Sequence, residues 1–112
     1  MLREFVMTDV FERHWKSLGL DDSELKRLQE ELLVDPMKGD VIEGTEGLRK
    51  VRFSFNGKGK RGGIRVLYVD LLVAERIYLI AAYSKSVKDD LTMDEKKALN
   101  NLIKQLKKEA GM

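Results

Sequence analysis

The chain has no cysteine, and only one proline, one histidine and one tryptophan among 112 residues. Without cysteine it can build neither a disulfide framework nor a zinc–thiolate site, and it has no thiol redox chemistry. His14 is the lone histidine and the acidic residues form no ligand-like grouping, so neither a metal site nor a cofactor is expected. Long hydrophobic runs are missing too. The longest, residues 77–83, falls far short of the roughly 20 residues of a membrane-spanning helix. Met1-Leu2-Arg3-Glu4 opens the chain without an apolar signal-like region, so a cytoplasmic location with no membrane partner is expected. The length suits a single domain over residues 1–112.

A net charge of +2 conceals an uneven distribution. Residues 1–48 hold 12 acidic and 6 basic side chains, and residues 70–112 hold 7 acidic and 8 basic. Residues 49–65 between them hold 7 basic side chains and no acidic one: Arg49, Lys50, Arg52, Lys58, Lys60, Arg61 and Arg65. Such a block is the usual footprint of a phosphate-binding surface. A merely solvated charge run is the alternative.

The hydrophobic pattern sets out the elements around this block. Residues 2–7 suit a first strand. Thr8 or Asp9 can cap a helix carrying Phe11, Trp15 and Leu18 at helical spacing, with Gly19 as its stop and Trp15 in the core. Asp21 and Glu24 stand in capping-box spacing ahead of a second helix, which carries Leu25, Leu28 and Leu32 on one face and ends before Pro36. Residues 37–47 read as a loop, and residues 48–55 as a strand in which Val51, Phe53 and Phe55 alternate with polar residues. A glycine-rich connection over 56–63 joins it to strands over 64–71 and 77–84. Thr92 and Glu95 open a last helix with Leu99, Leu102, Ile103 and Leu106 inward, and its lysines between 96 and 108 on a wet face. The order is β-α-α-β-β-β-α. The expected class is α+β, an antiparallel sheet packed against an N-terminal helical hairpin, with a C-terminal helix. Leu25, Leu28, Val51, Phe53, Leu67, Val69, Leu79 and Leu102 are the expected core.

Residues 56–65, Asn-Gly-Lys-Gly-Lys-Arg-Gly-Gly-Ile-Arg, carry the chemistry best. Four glycines let the backbone approach a ligand closely. Arginine forks two phosphate oxygens, lysine adds a point charge, and neighbouring cations lower a lysine's pKa towards that of a general base. The Gly-Lys-Ser/Thr ending of a Walker loop is missing, and a plain flexible hairpin tip is the other reading. RNA brings its own nucleophile, the 2′-hydroxyl, so clustered cations suffice to position it and stabilise the phosphorane. Arg49, Lys50, Arg52 and Tyr68 are expected to bind RNA. Tyr78 and Tyr83 have opposite parity on one strand, which places them on opposite faces. Tyr83 then shares a face with Lys85 and is the better platform for a base. His14 is assigned a structural or surface role outside the site.

Residues 44–52 (Gly-Thr-Glu-Gly-Leu-Arg-Lys-Val-Arg) and 57–68 (Gly-Lys-Gly-Lys-Arg-Gly-Gly-Ile-Arg-Val-Leu-Tyr) strongly resemble the HigB-type branch of the RelE/ParE toxin superfamily. Tyr83-Ser84-Lys85 followed by Asp89-Asp90-Leu91 resembles the end of that family's last strand and its approach to the C-terminal helix. The resemblance implies a RelE-like fold and the toxin of a type II toxin–antitoxin system, a metal-independent endoribonuclease that cuts mRNA in the ribosomal A site. It implies phosphate and acid/base roles for Lys58, Lys60, Arg61 and Arg65, with Tyr83 and Lys85 nearby. It also implies a cognate antitoxin, and operator DNA bound only by the toxin–antitoxin complex. Relatives often carry a further Tyr or Arg just past the last strand, where this chain has Ser86 and Leu91-Thr92, so the general acid stays open, as does the choice of base. A ParE-like gyrase inhibitor and a non-catalytic nucleic-acid-binding module are the alternatives.

Overall fold

The computed structural model describes residues 3–54, 63–88 and 90–111. β1 (Glu4–Met7) leads into α1 (Asp9–Ser17) through Thr8, whose side chain caps the helix by accepting from the Phe11 N–H at 3.0 Å. Phe11 and Trp15, one turn apart, stack at 5.3 Å and are buried. Gly19 ends the helix at a positive φ of 78°, which a side chain would strain. α2 (Asp22–Val34) starts on an Asp21 carboxylate that accepts from the Glu24 N–H, and it stops at Asp35, before Pro36.

The strands are β2 (Asp40–Val41), β3 (Arg49–Phe53), β4 (Ile64–Leu71) and β5 (Arg76–Ser84); α3 (Met93–Glu109) follows, opened by a reciprocal Thr92–Glu95 capping box. β2 is a two-residue strand inside the stretch expected to be loop, too short to show a period. The sheet order is β1-β5-β4-β3-β2. Pairing is antiparallel from β2 to β5, as expected, and β1 joins β5 in parallel.

Central β4 reads Ile-Arg-Val-Leu-Tyr-Val-Asp-Leu, and all but Asp70 are buried. Both of its faces are covered, which accounts for the loss of alternation. One core lies between the sheet and the hairpin: Phe11, Trp15, Leu28, Leu32, Val51, Phe53, Ile64, Val66, Tyr68, Ile77 and Leu79 are among its members. A second core, built on Leu67, Val69, Leu71, Tyr78, Ile80 and Ile103, lies under α3, against which Leu99, Leu102 and Leu106 also pack. Of the expected core, Leu25 and Leu102 are only half-buried, at the rims, and the rest are buried.

A β-bulge corrects the parity argument. Leu67 pairs with Ala81 and Tyr68 with Leu79, so Ile80 is an extra residue in β5. The extra residue inverts the alternation. Tyr78, Ile80 and Tyr83 therefore all pack towards α3, whereas Ile77, Leu79 and Ala82 face the hairpin. Among the described residues no helix is long and apolar enough to cross a membrane.

Candidate RNA-cleavage site

The site grows from one end of the sheet, where β3 finishes, β4 begins and β5 finishes. Arg52, Arg65 and Tyr83 are successive partners across β3, β4 and β5. Residues directly opposite in a sheet project to the same face, here the face that α3 covers. Arg65 is a buried charged residue, 4% exposed, and its Nη1 lies 3.8 Å from where a Cβ at Gly63 would stand. Gly63 has a φ of 62°. Arg52 is exposed, and Lys50, two residues back on the same face, is half-buried and pairs with Asp90 at 3.5 Å.

The turn after β5 is tied to the start of β4 by the Lys85 N–H donating to the Gly63 carbonyl at 3.4 Å. Lys85 itself is exposed. Lys88 stands 6.0 Å from the centre of the Tyr83 ring and forms an ion pair with Glu95. The Lys88 ammonium, helped by the Thr92 N–H, holds the Glu95 carboxyl below its ordinary range. Lys88 escaped sequence reading because it looked like ordinary helix-flanking charge, and Glu95 was read only as the capping-box partner of Thr92.

Beside Tyr83 is a cavity of about 380 Å³ walled by Leu67, Ala81, Leu91 and Leu99, with Lys88 and Glu95 also on its lining. His14 lines it as well. The expectation that His14 lies apart from this region is therefore corrected: 68 residues separate it in sequence from Ala82, yet its Nδ1 accepts the Ala82 N–H at 3.2 Å. No local pattern signals such a contact.

Two residues expected to bind RNA lie on the opposite face. Tyr68 is fully buried under the hairpin, donating its hydroxyl to the Pro36 carbonyl at 2.8 Å and accepting from the Gly39 N–H at 2.9 Å. Burial raises its phenol pKa. Arg49, beside it in register, donates to the Gly39 carbonyl at 2.6 Å and to that of Met37 at 3.4 Å. Both hold the 36–39 segment, and Tyr68 offers no surface to RNA. Lys58, Lys60 and Arg61 lie outside the described residues. The sheet thus aligns Lys50, Arg52, Arg65 and Tyr83 on one face, with Lys85 in the turn that follows β5, and separates Arg49 and Tyr68 from them. Among the described residues no three His, Asp or Glu side chains are placed to hold a metal ion.

Solved structures share this fold. E. coli toxin RelE, as a double-arginine mutant in the free state, superposes with a TM-score of 0.59 at 14% identity, covering 88% of this chain and 97% of that one. A crystal of the isolated E. coli RelE toxin gives 0.56 at 13% identity, covering 91% and 99%. A chain of the intact E. coli RelBE toxin–antitoxin complex gives 0.54 at 15%, covering 73% and 94%. The family model for the RelE toxin of the RelE/RelB toxin–antitoxin system matches residues 4–111. With the family model matching almost the whole chain and the same fold in solved RelE structures, the chain belongs to the RelE toxin family.

Proposed function

We propose that this toxin, of the HigB-type branch, cuts ribosome-bound mRNA without a metal, using the cationic end of its sheet. A RelE toxin is a ribosome-dependent ribonuclease held in check by an antitoxin. The 2′-hydroxyl attacks the adjacent phosphorus, its proton passes to a general base, and the 5′-oxygen leaves with a proton from a general acid. A 2′,3′-cyclic phosphate remains on the upstream piece. Lys58 and Lys60 supply charge and the base. Arg61 and Arg65 hold the non-bridging oxygens as charge builds on the phosphorane. Tyr83 stacks on a base, and Lys50, Arg52 and Lys85 bind the flanking backbone.

The observation that supports this most is the burial of Arg65 at the start of the central strand β4. A buried guanidinium costs several kcal/mol in desolvation, and a rigid strand is where a preorganised donor is held best. The RNA and ribosome partners make the cytoplasm the place of action. An antitoxin with an acidic segment would cover the cationic face, and operator DNA is bound by the pair together. Toe-printing on programmed ribosomes tests the reading. Wild-type toxin is expected to leave A-site cuts that Arg65→Ala does not, whereas an uncut message with wild-type protein sinks the proposal.

A further inference from the structure

β1 pairs with β5 only as far as Met7 opposite Leu79. Beyond that point the outer edge of β5 needs other partners, because buried backbone groups are costly to leave unmatched. α1 provides them. The Thr8 N–H donates to the Leu79 carbonyl at 3.1 Å, the Thr8 hydroxyl donates to the carbonyl of the bulge residue Ile80 at 2.8 Å, and His14 Nδ1 accepts from the Ala82 N–H. The imidazole bond is the last of the three and immediately precedes Tyr83, the cross-strand partner of Arg65.

We propose that His14 is a positioning residue for RNA cleavage. It completes the edge of β5 after the bulge, and so fixes Tyr83 beside Arg65. The inference rests on the ribonuclease reading above. The bond requires a neutral imidazole with its proton on Nε2, since a protonated ring carries a donor at both nitrogens and would turn one towards the Ala82 N–H. The charged and titratable groups around the ring are Tyr83 from β5, Lys88 from the turn after it and Glu95 from α3, all on the shared cavity, with Glu12, Arg13 and Lys16 as neighbours on α1.

Asparagine tests this directly, because its Oδ1 can stand where Nδ1 stands and accept the same bond. His14→Asn, His14→Gln and His14→Leu are compared by amide exchange at Ala82 in the purified toxin and by single-turnover cleavage on programmed ribosomes. His14→Asn is expected to keep Ala82 protection and cleavage rate to within about threefold of wild type. Gln and Leu lose about tenfold in Ala82 protection, the worth of one ordinary hydrogen bond, and slow the cleavage step while ribosome binding holds. Full Ala82 protection in the Gln and Leu variants, or an Asn variant as impaired as Leu in both readouts, overturns the proposal. Amide exchange reads the His14–Ala82 link even if wild-type toxin cuts nothing, so failure of the ribonuclease reading is told apart from failure of the link.

Discussion

Arg65 and Tyr83 stand directly opposite each other on β4 and β5, on the face that α3 covers. A guanidinium and a phenol ring, fixed on neighbouring strands, suit a phosphate and the base beside it. Arg65→Ala is expected to slow single-turnover cleavage by about 100–1,000-fold, the usual cost of one preorganised donor, with a much smaller change in ribosome affinity. Arg65→Lys keeps the charge and loses the fork, so it should recover only part of the rate. Near-normal cleavage by both variants would remove Arg65 from the site.

Lys50 and Arg52 lie along the same face, half-buried and exposed respectively. Replacing either by Ala should weaken RNA binding and lower the log–log salt slope by roughly 0.7 for each phosphate that is no longer neutralised. Arg49→Ala should leave that slope unchanged and lower stability instead, since its guanidinium holds the carbonyls of Met37 and Gly39. Titrations at several salt concentrations, paired with melting curves, separate the two outcomes.

Tyr68→Phe should destabilise the fold by about 1–3 kcal/mol, because it strands the Pro36 carbonyl and the Gly39 N–H. The phenol pKa is raised in the folded state by burial. Its contribution is therefore complete below the unfolded value of about 10 and declines as pH rises through the folded value. The stability gap between wild type and Tyr68→Phe is expected to narrow above about pH 10. Denaturant midpoints along that series check it, and a gap that widens with alkali contradicts the assignment.

Leu28→Ala and Leu79→Ala each empty a fully buried position and should cost about 2–5 kcal/mol. Leu25→Ala and Leu102→Ala remove half-buried rim residues and are expected to cost less. Equal melting temperatures for the two pairs would mean that the rim packs as tightly as the core.

Helix ends were the most legible part of the fold. Thr8, Asp21 and the Thr92–Glu95 pair act as caps, because capping is an interaction between residues two or three apart and leaves its trace in a short window. The amphipathic faces of α1, α2 and α3 were readable for the same reason. So was the cationic character of the block from Arg49 to Arg65, since charge is a matter of composition.

What composition and spacing cannot carry is which residues become neighbours across the sheet. Tyr68 has the same local appearance as a surface strand tyrosine, yet the hairpin buries it. The Ile80 bulge, one extra residue in β5, turns Tyr83 to the face opposite the one that strict alternation implies relative to Tyr78. His14 meets Ala82 only because β1 ends early and α1 takes over its edge. By itself the sequence determined the elements other than the two-residue β2, their caps and the cationic block, through interactions within a turn or a strand. The tertiary structure alone decided which side chains share the site, because register, bulges and edge partners are set by pairings between residues far apart along the chain.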